Sequence, residues 1–186
     1  MTKLFTGSGD EGMTDYLGEG RIPKYDLRID CVGSVDEATS AIGLARASSQ
    51  IEQVKTWLLE IQRELYSMMA ELAASPENAQ KFSRIGADTI TRIEDLINDI
   101  QTKISLPREF IIPGDNVASA SLDLARVSVR RAERRVSELA SQGEVVNPHI
   151  LSYLNRLSSL CFALELYEIQ HTGQAQPTLA KKKTTQ

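Results

Sequence analysis

The chain has 186 residues, of which 41% are hydrophobic and 25% are charged, and its formal net charge at pH 7 is -4. This length and composition predict one globular domain with a sizeable core. The acidic pI of about 5.3 excludes a general affinity for nucleic acid or for an anionic membrane. Any anion site must therefore be a local cluster of basic side chains or backbone amides.

The cysteines and histidines exclude two further classes of site. Cys31 and Cys161 are far apart and lack C-x-x-C spacing, which indicates reduced, buried thiols. His149 and His171 form no H-x-x-x-H pair, so we expect no zinc site. No apolar run is long enough for a signal peptide or a membrane span, and we expect a cytoplasmic protein.

The segment from Thr6 to Asp30 is rich in glycine and lacks apolar periodicity. We predict an irregular segment, and loops of this length inside compact domains are usually functional. It belongs to a predicted single domain over residues 1–170, of which residues 1–30 form the N-terminal segment. Residues 171–186 are predicted to be a disordered tail.

Five amphipathic helices are predicted after this segment, because apolar residues recur at intervals of three and four. They are expected at about residues 34–49, 54–74, 90–104, 116–142 and 148–170. Ser34 and Glu37 have the spacing of a capping box at the start of the first helix. Asp115 or Asn116 could cap the fourth, and Gly143 is its expected stop. With almost no strand pattern, the chain is predicted to be an all-α bundle.

Residues 7–12 read GSGDEG and match G-x-G-x-x-G literally. That motif predicts dinucleotide binding only between a strand and a helix of a βαβ unit, and no such alternation follows here. We therefore reject a nicotinamide site. The glycines still let backbone amides converge on an anion, and Thr6, Ser8 and Thr14 add hydroxyl donors. A flexible N-terminus with turn residues is the alternative.

The predicted fourth helix carries a row of arginines beside its buried seam. Arg126, Arg130 and Arg134 are spaced at i, i+4 and i+8 and therefore share one face. Such guanidinium groups repel each other unless an anion or carboxylates neutralise them, and arginine suits phosphate or carboxylate. Asp36 is a candidate partner, within the chain or from another subunit. The alternative is a solvated basic face with Glu–Arg pairs along the helix.

Six segments of the chain, taken in order, resemble motifs of the PduO-type ATP:cob(I)alamin adenosyltransferases. Residues 6–14 (TGSGDEGMT) resemble the family's T-x-T-G-D-x-G-x-T, residues 21–26 (RIPKYD) its R-x-x-K-x-D and residues 33–37 (GSVDE) its G-T-V-D-E. Residues 110–114 (FIIPG) are similar to F-I-L-P-G, residues 125–134 (ARVSVRRAER) to A-R-x-x-x-R-R-A-E-R, and residues 155–158 (NRLS) to N-R-L-S. The resemblance covers nearly the whole chain except the lysine-rich tail.

This resemblance implies a homotrimer of five-helix, ferritin-like up-down bundles with active sites between neighbouring subunits. The N-terminal segment would wrap the triphosphate of ATP, and Mg²⁺ would be bound through ATP without protein side chains as ligands. The implied cofactor-binding residues are Thr6, Gly7, Ser8, Gly9, Asp10, Gly12, Thr14, Arg21, Lys24, Arg126, Arg130, Glu133 and Asn155. The implied catalytic residues are Phe110, Arg126, Arg130 and Asp36. Asp36 would pair with Arg130 of a neighbour, and Phe110 would lie against the corrin and help displace the lower axial ligand.

The implied reaction is attack of Co(I) in reduced cobalamin on the 5′ carbon of ATP, with triphosphate as the leaving group. It needs no general base, so the protein would align the reacting atoms, neutralise the triphosphate and favour a four-coordinate Co(II) that can be reduced. A reductase that supplies Co(I) and an adenosylcobalamin-dependent enzyme that accepts the product are implied partners.

The chain departs from the family's pattern in the loop and in the last helix. Gly7 and Glu11 stand where the family often has lysines, and Ser159 stands where an aspartate usually follows N-R-L-S. A later arginine of the family is replaced around Glu165-Leu166. These departures motivate an alternative, a nucleotide- or adenosylcobalamin-binding carrier or regulatory protein of the same fold. A purely structural bundle with a solvated basic face is a third hypothesis.

Overall fold

The computed structural model describes residues 4–173 and 176–181 and is mostly helical. Its elements in chain order are β1 (Met13–Asp15), β2 (Arg21–Pro23), α1 (Leu27–Ser48), α2 (Glu52–Leu72), α3 (Pro76–Ala79), α4 (Ala87–Gln101), α5 (Val117–Ser141) and α6 (His149–His171). Five of the six described helices have at least 15 residues, and α3 has four. None of the helices in this part of the chain combines the length and apolarity needed to cross a bilayer.

The long helices pack side by side in the order α2, α1, α5, α6 and α4. The helices α1 and α5 run antiparallel, as two ion pairs between them show. Asp30, near the start of α1, pairs with Arg135, whereas Glu37, further along α1, pairs with Arg131, which comes earlier in α5. One continuous core runs through the layers, and it includes Val35, Leu58, Ile93, Val129 and Leu157. The apolar periodicity read from the sequence is thus the set of positions that face this core.

The predicted start of the first helix at Ser34 is wrong. The helix α1 begins at Leu27, where the Asp26 side chain accepts a hydrogen bond from Arg28 N at 2.9 Å as the N-cap. Ser34 lies buried inside the helix. Both aspartate and serine are good N-caps, so the local pattern could not choose between them. Cys31 and Val35 are both buried on one face of α1, and this burial stabilises the helix across Gly33, which lies between them.

The N-terminal segment is less irregular than predicted, and the fold is therefore not purely α-helical. An antiparallel hairpin pairs Met13 with Pro23 and Asp15 with Arg21. The segment is also tied to the end of α2, since Leu17 N donates to Ala73 O at 2.8 Å. These bonds hold the glycine-rich loop against the body of the protein. The stretch after α2, between two of the predicted helices, contains the short helix α3.

Arg28 joins three parts of the chain at this end of the bundle. Its guanidinium is buried and donates to Leu72 O at 2.8 Å and to Ala74 O at 2.6 Å. It also pairs with the Glu144 carboxylate at 2.5 Å. A single side chain on α1 therefore fixes the end of α2 and the turn between α5 and α6.

The structure describes part of the segment predicted to be a disordered tail. Residues 176–181 lie against residues 110–115, and Pro177 is buried there. Of the remainder of that prediction, residues 171–173 include the end of α6. Residues 174–175 and 182–186 lie outside the described residues.

The caps of α5 agree with the prediction. Asn116 accepts a hydrogen bond from Ser119 N at 2.8 Å and is the N-cap. After the helix, Gly143 adopts a φ of 78°, a left-handed conformation that glycine adopts without steric cost. These two ends fix where the arginine row of α5 lies along the bundle.

Candidate functional site

The loop of residues 6–12 folds into two consecutive turns. Asp10 N donates to Gly7 O at 3.1 Å, and Gly12 N donates to Gly9 O at 3.2 Å. Gly7 and Gly12 have φ values of 76° and 78°, which an L side chain would strain. The hydroxyl oxygens of Thr6 and Ser8 lie 2.8 Å apart. The sequence-predicted loop residues thus form one exposed, compact feature.

Arg21, on β2, and Lys24, directly after β2, both lie against this loop but interact with it differently. A Cβ at Gly9 would lie only 2.7 Å from Lys24 Nζ, so the missing side chain lets the ammonium approach the loop backbone. The Lys24 ammonium has no carboxylate within 4 Å among residues 4–173 and 176–181. Arg21 instead donates to Ser8 O at 2.6 Å and to Met13 O at 2.9 Å. Arg21 therefore holds the loop, while Lys24 keeps its charge available.

Thr14 sits on β1, beyond the turns. It pairs with Ile22 in the hairpin, and its hydroxyl donates to Asp15 O at 3.3 Å. The adjoining Arg21 also forms an ion pair with Asp15 at 3.2 Å. The side chain of Thr14 is thus engaged locally, and the loop donors nearest to Lys24 are those of residues 6–12.

The arginines of α5 divide into paired and unpaired groups. Arg131 pairs with Glu37, and Arg135 pairs with Asp30 at 2.9 Å, so the second row is neutralised by α1. Within the described part of the chain, Arg130 and Arg134 form no ion pair. Asp36 is exposed near Arg131 and is not paired with Arg130 in this chain. The structure therefore leaves two guanidinium groups and one carboxylate facing outward.

Asn155 and Glu133 are brought together by the packing of α6 on α5. Asn155 Nδ2 donates to Glu133 Oε1 at 3.0 Å, and Asn155 Oδ1 accepts from Arg156 Nη1 at 3.0 Å. Arg156 in turn pairs with Glu94 on α4 at 2.8 Å. Asn155 is exposed and held in one orientation by these partners.

Phe110 belongs to a different surface, a pocket of about 720 Å³. Its side chain is 88% exposed at the rim. Apolar lining comes from Phe110, Ile111, Pro113 and Phe162, and polar lining includes Asp123 and Arg126. Arg126 is paired with Asp123 through Nε at 2.8 Å and Nη2 at 2.6 Å. The pocket thus combines an aromatic and aliphatic wall with one fixed ion pair.

A buried carboxyl lies next to that ion pair and was not singled out as functional from the sequence. Glu165 on α6 is 1% exposed, and neither of its carboxyl oxygens has a hydrogen-bond partner among the described residues. The pKa of Glu165 is raised to about 7, chiefly by burial and next by the charge of Asp123, while Arg126 lowers it and Asp115 raises it. At neutral pH this group is therefore poised between its protonated and ionised forms.

The loop and the pocket lie beside different parts of α5 within one chain. Lys24 shares a surface recess with Arg135, whereas Phe110 shares its pocket with Arg126. Nine residues separate those two arginines, or about 14 Å along a helix axis. One chain does not by itself bring the predicted loop residues to Phe110.

Several pocket residues were missed by sequence reasoning, and the reason differs between them. Asp123 is three residues before Arg126, so the spacing of helical neighbours could have revealed that pair. Phe162 and Ala180 have no local pattern that marks them as pocket residues, because they reach the pocket only through the packing of α6 and of residues 176–181.

The structure thus combines an open glycine loop beneath an ammonium, arginines that form no ion pair within the described residues, and a separate apolar pocket. The sequence profile of cobalamin adenosyltransferases matches residues 4–168. The chain belongs to the cobalamin adenosyltransferase family.

Individual relatives agree with this assignment. The corrinoid adenosyltransferase of Citrobacter freundii is 34% identical over 169 residues, which cover 90% of this chain and 96% of that protein. The corrinoid adenosyltransferase of Bacillus subtilis is 38% identical over 165 residues, covering 87% of this chain and 83% of that protein. A solved phenylalanine-to-alanine variant of the PduO-type ATP:corrinoid adenosyltransferase from Lactobacillus reuteri, complexed with cobalamin and ATP, has a TM-score of 0.87. That chain is 28% identical to this one, and the match covers 97% of this chain and 100% of the Lactobacillus reuteri chain.

Proposed function

We propose that this chain is an ATP-dependent corrinoid adenosyltransferase. The electron pair of Co(I) forms the bond from cobalt to the 5′ carbon of ATP, the bond from that carbon to the α-phosphate oxygen breaks, and triphosphate leaves. Cobalt is oxidised from Co(I) to Co(III) in the product, adenosylcobalamin. The corrinoid and ATP are both substrates, and no protein nucleophile or general base takes part.

The observation that carries this proposal is the Lys24 ammonium lying against the backbone of Gly9. A leaving triphosphate accumulates negative charge, and an ammonium beside an open, amide-rich loop is placed to stabilise it. We assign Thr6, Ser8, Gly9 and Asp10 to the same site, with Mg²⁺ held through the phosphates. Arg21 serves this site by fixing the carbonyls of Ser8 and Met13.

The separation of loop and pocket supports an active site built between subunits. The 5′ carbon is bonded to the oxygen of the α-phosphate, so the loop that holds the triphosphate must lie close to the cobalt. Within one chain, Arg135 shares a recess with Lys24 and Arg126 lines the pocket, and these two arginines are about 14 Å apart along α5. A neighbouring subunit can supply the loop to the pocket, which is the arrangement expected of the proposed homotrimer of five-helix, up-down bundles.

The outward face of α5 supports the same contact. Leu124 and Val127 are exposed on it, as is Leu44 on α1. Leu44 and Leu124 share a recess with Asp36 and Arg131, and Val127 lies one helical turn before Arg130. Apolar side chains beside charged groups without partners are characteristic of an interface. Arg130 would there meet the carboxylate of Asp36 from a neighbour, or a phosphate oxygen, and Arg126, Glu133 and Asn155 would complete the nucleotide site.

The pocket around Phe110 supports the corrinoid half of the proposal. A corrin is a broad, largely apolar macrocycle, and the pocket of about 720 Å³ presents Ile111, Pro113 and Phe162 to such a surface. Phe110 is positioned at the rim, where it could take the place of the lower axial ligand. The free, buried thiols of Cys31 and Cys161 support a reducing compartment, the cytoplasm, as the place of work.

The direct test is an anaerobic assay with ATP, Mg²⁺ and chemically reduced cobalamin, in which adenosylcobalamin and triphosphate are measured together. We expect both products in equal amounts from the unaltered protein. Arg130→Ala should lower kcat/KM by about a hundredfold if Arg130 stabilises the leaving triphosphate. Arg63→Ala changes an exposed arginine of α2 and serves as the matched control. No product under these conditions rejects the proposal.

The second candidate is a carrier or regulatory protein that binds the nucleotide or adenosylcobalamin with little turnover. The exposed carboxylate of Glu11 in the loop favours it, because a negative charge there weakens the field that a triphosphate needs. Tight binding of ATP by calorimetry without release of triphosphate would select this function. Glu11→Lys should strengthen ATP binding under either function. If the protein is the enzyme, this substitution should also raise turnover.

A further inference from the structure

The C-terminal segment, defined here as residues 176–181, lies across the part of the chain that carries Phe110. Ala180 N donates to Phe110 O at 2.8 Å, and Ile112 N donates to Thr178 O at 2.8 Å. Between these bonds Ile111 and Leu179 face each other as an antiparallel bridge. The C-terminal segment is therefore joined to residues 110–112 by two backbone hydrogen bonds around one isolated antiparallel bridge.

Asp115 fixes the same segment through side-chain bonds. Its Oδ1 accepts from Thr178 Oγ1 at 2.6 Å, and its Oδ2 accepts from Thr178 N at 2.9 Å. Hydrogen bonds to a carboxylate are roughly twice as strong as those between neutral groups. Asp115 directly precedes Asn116, the N-cap of α5, so the C-terminal segment is anchored to the start of a long helix.

The C-terminal segment also forms part of the pocket wall. Ala180 and Lys181 line the same pocket as Phe110 and Arg126. Because the Phe110 side chain is 88% exposed, its own packing does little to hold it, and its position depends on the backbone at residues 110–112. That backbone is held by the C-terminal segment.

We propose that the C-terminal segment is a positioning element for Phe110 and thereby sets the preference for corrinoids that carry a nucleotide lower ligand. This inference rests on the proposed function. An aromatic ring that must displace an axial ligand has to stand at a defined height over the macrocycle, and errors of about 1 Å in such placements are costly. A corrinoid without that lower ligand has nothing to displace and gains little from the placement.

Two substitutions in the full-length chain remove the anchoring bonds one at a time. Thr178→Val deletes the hydroxyl that donates to Asp115 and keeps the shape of the side chain. Ala180→Pro removes the N–H that donates to Phe110 O. Thr178→Ser and Ala180→Gly are the matched conservative variants, since they keep the hydroxyl and the N–H.

The assay compares kcat/KM for cobalamin with kcat/KM for cobinamide, which lacks the nucleotide lower ligand, at saturating ATP. We expect Thr178→Val and Ala180→Pro to lower the cobalamin value about tenfold and the cobinamide value less than about twofold. The KM for ATP should change less than about twofold, because neither substitution alters a residue assigned to the nucleotide site. Thr178→Ser should recover most of the cobalamin activity.

The electronic spectrum of bound Co(II) gives a second readout that a merely structural role would not move. In the presence of ATP, the fraction of four-coordinate Co(II) from cobalamin should fall in both disruptive variants and return in Thr178→Ser. If the ratio of kcat/KM for cobalamin to kcat/KM for cobinamide stays unchanged in the variants, even with an equal loss for both, the positioning role is overturned. The proposed function would stand in that case. Failure of the unaltered protein to adenosylate either corrinoid would instead reject the proposed function on which this role depends.

Discussion

Glu165 is a buried carboxyl whose protonation should couple the stability of the fold to pH. It is 1% exposed, and both carboxyl oxygens lack a hydrogen-bond partner among the described residues. Its pKa is raised from 4.5 to about 7, first by burial and next by the charge of Asp123, while Arg126 lowers it and Asp115 raises it. The folded protein therefore holds on to a proton that the unfolded chain releases.

The size of the effect follows from the difference between these two pKa values. A raised pKa in the folded state gives stability that is complete below pH 4.5 and is lost as pH rises to about 7. At about 1.4 kcal/mol for each pH unit, the full difference is about 3 kcal/mol. Because Asp123 and Arg126 line an open pocket, solvent screening reduces the expected loss to about 2 kcal/mol.

Glu165→Gln tests this directly, because the amide keeps the shape and cannot ionise. The cost of burying the amide is the same at every pH, so it cancels when the difference between variant and unaltered protein is followed across pH. We expect that difference in free energy of unfolding to move in favour of the variant by about 2 kcal/mol between pH 4.5 and pH 8, or about 4–8 °C in Tm. Urea titrations followed by circular dichroism measure it.

The matched control for this series is Glu19→Gln, which changes an exposed glutamate of the N-terminal segment. We expect its difference from the unaltered protein to vary much less over the same pH range. A Glu165→Gln difference that does not depend on pH, or that moves against the variant as pH rises, would refute the reasoning about the buried carboxyl.

Three further variants test the fold, the pocket and the subunit contact. Arg28→Met removes a guanidinium that is 6% exposed and leaves Glu144 without its partner, so we expect urea denaturation to show a loss of about 3 kcal/mol; a loss below about 1 kcal/mol would contradict its joining role. Phe110→Ala should lower kcat/KM for cobalamin about tenfold more than for cobinamide, and equal losses would argue against its place at the lower axial face. Asp36→Asn should weaken assembly in sedimentation velocity and lower kcat/KM about tenfold. An unaltered trimer with full activity would remove the pair of Asp36 and Arg130 from the proposed interface.

The long helices could be predicted from the sequence because their periodicity is local. The spacing of Leu122, Ala125, Val129 and Ala132 requires a helix with one apolar face, whatever that face contacts. The cap at Asn116 and the stop at Gly143 are equally local, since each depends on the chemistry of one side chain or on its absence. Family membership also followed from the order of short motifs, and the comparisons confirm it.

Other local patterns could not decide between alternatives. Asp26 and Ser34 both have N-cap chemistry, and only the burial of Cys31 and Val35 against the core places the start of α1 at Leu27. The C-terminal residues carry no periodic pattern, and their pairing with residues 110–112 depends on backbone groups that are distant in the sequence. Local composition alone had indicated disorder there.

The sequence by itself determined the presence of the five long helices, the family and the residue types available for an anion and a corrinoid. Only the tertiary structure decided how those residues are used. It paired Arg131 and Arg135 with carboxylates of α1 and left Arg130 without an ion pair among the described residues. It also placed Lys24 over Gly9 and buried Glu165 beside the ion pair of the pocket. The physical reason is that ion pairing, desolvation and pocket shape depend on which helices are neighbours, and that choice is made by the burial of the whole core.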